Sequence, residues 1–145
     1  MVMDWPWIWT SIQVALAATV VAFPLAFAAG WRIAFDTRHG RWASIAVHCI
    51  RLAPALVLLA AWRFGASGWM LAAGVLMGTA WLARETSVRL AALPAPWFES
   101  LATIGAPGYR AAWPAVRRGL VGAAAWVAGR IFLEALIGLW LRGRA

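Results

Sequence analysis

The sequence predicts an all-α fold: an integral membrane helical bundle with four transmembrane helices and a short cytoplasmic helix between the third and fourth. Three observations predict it. The 145-residue chain is 64% hydrophobic, has a mean hydropathy of +0.76 and carries only 12% charged residues. So few charges cannot cover the surface of a soluble domain of this length. Its apolar residues run in stretches of bilayer length. Its arginines gather in two connections, 30–42 and 84–118, as they do in cytoplasmic loops.

We take residues 1–145 as a single membrane domain and assign its spans in order. The first span covers 8–29, with Thr10, Ser11 and Gln13 near its start and Pro24 near its end. Proline removes a backbone donor, so Pro24 should bend or loosen that helix. A polar connection with Arg32, Arg38 and Arg41 follows. The second span covers 43–62 and is interrupted by His48, Arg51 and Pro54. A tight turn around Gly65 leads to the third span, 68–83, which should continue as helix past Arg84. Gly74 and Gly78 in it are spaced for close helix packing. The fourth span covers 119–141 and is followed by Arg142 and Arg144.

Topology follows from the arginines. Arg32, Arg38, Arg41, Arg84, Arg89, Arg110, Arg117 and Arg118 lie in the two large connections, against Arg63, Arg142 and Arg144 on the opposite side. That asymmetry puts both connections in the cytoplasm and both termini outside. Trp5, Trp7, Trp9, Trp62, Trp69 and Trp140 then fall at one membrane edge, and Trp31, Trp42, Trp81 and Trp113 near the other, an aromatic-belt distribution.

The connection 84–118 holds a short helix of its own, over about 96–105. Pro96 suits a first turn, where its missing N–H has no intrahelical partner to lose. Glu99 in that turn meets the positive end of the helix dipole, and Gly105 is a natural stop. Trp97, Leu101 and Ile104 form one apolar stripe. Such a helix is too short to span. It rests on headgroups or docks in a groove of another protein, and the long cytoplasmic presentation favours docking.

Composition also excludes. The net charge of +8 would indicate nucleic acid in a soluble protein; here it fits cytoplasmic loops and lipid headgroups, and no nucleic-acid partner is expected. Every basic residue is Arg, and no Gly-rich loop ending in Gly-Lys exists, so phosphate-loop nucleotide binding is excluded. The lone Cys49 forbids an internal disulfide or a multi-thiolate metal site. No basic n-region precedes the first apolar run, so a cleaved signal peptide is not expected. No nucleophile–base–acid set is visible, and neither an enzyme activity nor a cofactor is expected.

Three charges fall within spans. Arg51 lies roughly 12 Å into the second, at 1.5 Å per residue. Arg130 and Glu134 are i, i+4 on the fourth and share a face. Charges at such depth face a protein interior or a wet path. They line the path of an anion or a proton, or they form a structural ion pair with Arg51 snorkelling toward headgroups. His48 and Cys49 are adjacent and point to different sides of a helix, which favours ordinary packing over metal binding. Asp36 and His39 read as a solvated loop.

In this order of features the chain resembles the membrane subunit of bacterial type I ABC importers, most closely the phosphate-type permeases. Their cytoplasmic signature is Glu-Ala-Ala, three residues, then Gly; here Glu99-Ser100-Leu101 and Gly105 stand at those positions, with Ala102 following. Arg84-Glu85-Thr86, Leu90-Ala91-Ala92-Leu93-Pro94 and Ala106-Pro107 match the context around it. Trp113-Pro114-Ala115 is similar to the family's Leu-Pro-Ala, Gly129-Arg130 with Glu134 to its Gly-Arg then Gly-Glu, and Pro54 falls near its Val-Pro-Ser. Two alanines of the signature are replaced, the interval from Gly105 to Pro114 is about four residues shorter than the family pattern, and the family commonly has five or six spans.

The resemblance implies a multi-pass protein of the bacterial inner membrane, the permease subunit of an ATP-driven importer for an inorganic oxyanion such as phosphate. It implies that Glu99, Ser100, Leu101, Ala102 and Gly105 couple to a separate ATP-binding cassette ATPase, and that Arg51, Arg130 and Glu134 line the path. A second permease subunit, an extracytoplasmic substrate-binding protein and membrane lipid are the further partners implied. Two rival readings stand beside it: a permease-like structural subunit of a membrane complex, and a small proton-coupled exporter using Glu134.

Overall fold

The computed structural model describes residues 5–35, 39–52, 55–103, 105 and 108–144. All elements among them are helices: α1 (Trp5–Phe35), α2 (His39–Leu52), α3 (Leu56–Arg63), α4 (Ser67–Ala91), α5 (Ala95–Thr103) and α6 (Gly108–Arg142). The side chains of His39, Arg51, Leu101 and Ala102, and residues Asp36, Pro54, Ile104, Ala106 and Pro107, lie outside the described set.

Helices α1, α4 and α6 form the frame, each touching the other two, with the largest interface between α1 and α4. That interface is made by small residues. On α1 Ala18, Ala22, Ala26 and Gly30 recur every fourth position, and all are buried. They meet Gly74 and Gly78 of α4: a Cβ added at Gly74 would lie 2.9 Å from Ala18 Cβ, and one at Gly78 would lie 3.1 Å from Ala22 Cβ. Small side chains let two backbones approach where no aqueous hydrophobic effect drives association. Two buried hydroxyls on these helices bond backward within the helix: Ser11 Oγ donates to Trp7 O at 2.8 Å and Thr86 Oγ1 to Leu82 O at 2.7 Å, which hides a donor from an apolar medium.

Pro24 leaves α1 as one helix and sits on an exposed side of it. The second expected span behaves differently. Instead of one helix over 43–62, α2 ends at Leu52 and α3 starts at Leu56, with Ala55 at φ 59°, in the left-handed region. The physical reason is local. Helix is disfavoured for a residue preceding proline, and a left-handed residue cannot continue a right-handed helix. The break redirects the chain. α2 packs on α1 and α4, whereas α3 packs on α4 and α6, so the two halves cross the outer face of α4 from one groove to the next.

The helix ends gather at two poles. At one, Trp7 lies against Gly143 and the Arg142 guanidinium against Gly65. At the other, Phe35 meets Phe98 of α5 with ring centroids 5.2 Å apart, and Leu90, Ala112, Val116 and Leu120 form a small second core with Phe98 packed on it.

Two helical stretches are long and apolar enough to cross a membrane, Trp5–Phe35 and Ala112–Arg142. Each has only 28% of its apolar window buried, unlike the core helix of a soluble protein. Leu16, Val20, Leu25, Val121, Leu133 and Ile137 face outward and are exposed. An apolar outer surface of this extent suits lipid contact, and it points to a membrane protein. α4 is shorter than either and carries Arg84, Glu85 and Arg89 in its closing turns. The polar stretch 84–118 is mostly helical continuation, since α4 runs on to Ala91 and α6 starts at Gly108.

Candidate functional site

The site lies in the groove between α4 and α6, and the break at Ala55 accounts for its openness. α3 covers one half of this groove; α2, which would have covered the other, lies over α1 and α4 instead. The register of α3 on α6 can be read from two contacts. Arg142 lies on Gly65, and Gly138 faces Ala61 and Leu58. The chain advances four residues on each side between those contacts, from Ala61 to Gly65 just past α3 and from Gly138 to Arg142 on α6, so α3 and α6 run parallel. One turn further back on α6 sets Glu134 level with Val57, at the start of α3. Among the described residues, α2 makes no contact with α6 beyond that point.

Arg130 and Glu134 come together as their spacing predicts. Arg130 Nε donates to Glu134 Oε1 at 2.9 Å, with side-chain exposures of 33% and 11%. The pairing is one-pronged: among the described residues Arg130 makes no other hydrogen bond. Its two Nη groups, the fork that matches an oxyanion in bidentate fashion, are therefore uncommitted toward those residues. Glu134 Oε2 is buried and has no partner among the described residues.

Two tryptophans complete the site. The Arg130 guanidinium lies 5.4 Å from the Trp81 ring and 5.9 Å from that of Trp126, within the range of a cation–π contact. The two rings are 5.0 Å apart, tilted by 54°. Two cavities lie beside them, one in the groove and one against α6 alone. One of about 490 Å³ is lined by Trp81, Glu85, Arg89, Gly119, Trp126 and their neighbours. The other, of about 630 Å³, is lined by Trp126, Gly129, Arg130, Phe132 and Leu133. Arg89 pairs with Glu85 at 3.6 Å and rests its guanidinium directly on the backbone of Gly119.

The residues singled out in the 84–118 connection lie at the α5 pole. Glu99 and Ser100 are exposed, and Trp97 is 42% exposed. Because α5 begins at Ala95, Glu99 falls just past the first turn rather than within it. Phe98, not the Trp97 stripe, holds α5 to the bundle, through Phe35 and the α6 core. Gly105 has φ +67°, so it ends the helix by leaving the right-handed region. Arg51 belongs to α2, and α2 makes no contact with α6 among the described residues. His48 turns its Nδ1 to Ser44 O at 2.8 Å, and Cys49 is exposed.

Sequence reasoning misses Trp81, Trp126 and the Glu85–Arg89 pair as parts of a site. Glu85 and Arg89 do share the i, i+4 spacing of Arg130 and Glu134, and that spacing is the available signal. Comparison with known protein families, with characterised proteins and with solved structures finds no match.

Proposed function

We propose that this chain is the permease subunit of an ATP-driven importer in a bacterial inner membrane, with a path for an inorganic oxyanion such as phosphate. It works with a separate ATP-hydrolysing subunit, a second permease subunit and an extracytoplasmic binding protein. Its four traverses are α1, α2 with α3, α4 and α6, with both termini outside. The observation that carries this reading is α5: a nine-residue helix held at one pole by Phe98, displaying Trp97, Glu99 and Ser100 outward. It couples the ATPase to the frame, because α4 and α6 leave from its two ends as rigid levers. Arg130, with its Nη fork backed by two tryptophans, is the oxyanion-binding group on the path.

The test is co-purification with an ATPase, and ATP hydrolysis by that complex. Glu99→Arg should abolish the stimulated hydrolysis while leaving the membrane bundle folded. Unchanged stimulation removes the coupling role of α5. The orphaned Glu134 Oε2 favours a second reading, proton-coupled export. Transport that survives removal of the ATPase and is lost in Glu134→Gln would select it.

A further inference from the structure

The cavity of about 490 Å³ in the α4–α6 groove is charged at one end and apolar at the other. Among the described residues, its lining belongs to α4 and α6 alone. Glu85, Arg89 and Gly119 stand at the end nearer the α5 pole, and Arg89 lies in the last turn of α4. Trp81, Trp126 and Val127 stand at the other end, further along the apolar stretch of α6. From Gly119 to Trp126 the groove runs roughly 10 Å, at about 1.5 Å per residue. Gly122 lies between the two ends, is exposed, and has open space where a side chain would stand. Arg118, one turn before Gly122 and on its side of α6, is also exposed.

We propose that this groove holds one acidic phospholipid from the leaflet at the α5 pole. Its phosphate pairs with Arg89 and Arg118, and the first stretch of one acyl chain lies over Gly122 against Trp81 and Trp126. The proposal rests on the membrane setting of the chain and not on its reading as an importer.

Three observations carry it. The first is charge: the mouth has an arginine on each helix, Arg89 and Arg118, against the single carboxylate of Glu85. Basic side chains between helices at a membrane surface hold acidic headgroups. The second is availability. Arg89 pairs with Glu85 at 3.6 Å, with side-chain exposures of 42% and 40%; so exposed a pair contributes little and exchanges readily for another anion. The third is shape. Gly122 leaves the middle of the groove empty, and Trp126 is 53% exposed beside it, so the apolar end opens sideways onto the surface that faces lipid. An inorganic anion would use the arginines alone, whereas a ligand with a hydrocarbon part uses both ends.

The test counts bound lipid. The full chain, purified in detergent and stripped of lipid, is titrated with phosphatidylglycerol or phosphatidylcholine and followed by native mass spectrometry. One phosphatidylglycerol per chain should bind ahead of phosphatidylcholine. Arg89→Gln should weaken phosphatidylglycerol about fivefold, the scale of one arginine at an anionic surface, and so bring it down toward phosphatidylcholine. Gly122→Leu should weaken both lipids, because its side chain fills the acyl part of the groove. Glu85→Gln, which frees Arg89, should strengthen phosphatidylglycerol; it keeps the test decisive if Arg89→Gln fails to fold. Sodium phosphate at the concentration of the lipid should displace neither lipid.

A preference for phosphatidylglycerol that survives Arg89→Gln, or that falls in Glu85→Gln, overturns the proposal. So does lipid binding unchanged in Gly122→Leu. Displacement by sodium phosphate makes the groove a site for a free oxyanion and overturns the lipid. None of these measurements involves an ATPase, so their failure leaves the Glu99→Arg experiment standing, and the failure of that experiment leaves these outcomes as they are.

Discussion

Arg130 holds one oxygen of Glu134 at 2.9 Å and leaves the other buried without a partner among the described residues. This is an unequal pair. The glutamate depends on the arginine, because an ionised carboxylate in an apolar place has few ways to recover its hydration. The arginine is a third exposed and is also supported by two aromatic faces, so it depends less on the glutamate. The order of stabilities among variants follows from that inequality.

Arg130→Ala should destabilise the bundle by about 3 kcal/mol, near the low end for breaking a buried pair, because it strands Glu134. Glu134→Gln should lose less, since an amide oxygen still accepts from Nε. The double variant Arg130→Leu with Glu134→Leu should be more stable than Arg130→Ala alone. Thermal unfolding in detergent measures all three. Equal losses in Arg130→Ala and Glu134→Gln would show that the orphaned oxygen has no energetic weight.

Trp81→Ala removes a ring that touches both Arg130 and Trp126. On the proposed oxyanion role of Arg130, binding of phosphate or sulfate by the purified chain should weaken roughly tenfold, the scale of one desolvated cation–π contact. Trp81→Phe should recover part of it, because an aromatic face remains. Equilibrium dialysis with labelled phosphate and sulfate measures this. Unchanged binding in Trp81→Ala would free the tryptophans of any part in holding Arg130.

The helical class was legible in the sequence because composition alone forbids a soluble surface, and the Arg130–Glu134 pair was legible because i, i+4 adjacency is a property of one helix. Gly74 and Gly78 were readable as packing residues for the same reason. What stayed hidden depends on two helices at once. Nothing in the spacing of Trp81 and Trp126 says that α4 and α6 bring them together, and Arg89 is a loop charge until Gly119 is seen beneath it. The break in the second span was signalled by Pro54, but its consequence, moving α3 to the next groove, follows from packing and not from local preference.

The membrane assignment predicts a fractionation. With α1 and α6 mostly unburied along their apolar windows, the chain should stay with the membrane pellet through an alkaline carbonate wash and leave it only in detergent. Release by carbonate would mean that the outward Leu16, Val20 and Leu133 are covered by protein and not by lipid.

The glycines of the frame should rank by what a methyl group would meet. Among Gly30, Gly74, Gly78, Gly122 and Gly129, Gly30 is the tightest: an added Cβ would lie 2.6 Å from Thr86 Cβ and 2.7 Å from the carbonyl oxygen of Ala83, which belongs to a helix backbone and cannot turn aside. Gly30→Ala should therefore be the most damaging, costing about 1–3 kcal/mol as an overpacked site. Gly74→Ala is tightest against Ala18 Cβ, at 2.9 Å, and Gly78→Ala against Ala22 Cβ, at 3.1 Å, so the losses should fall in that order. Gly122→Ala and Gly129→Ala meet nothing within 4 Å and gain helix propensity, up to about 1 kcal/mol in favour of the folded state. Thermal unfolding of the five variants in one detergent gives the ranking. A Gly30→Ala variant as stable as Gly129→Ala would mean that α1 and α4 do not approach as closely as Ala18, Ala22 and Gly30 place them.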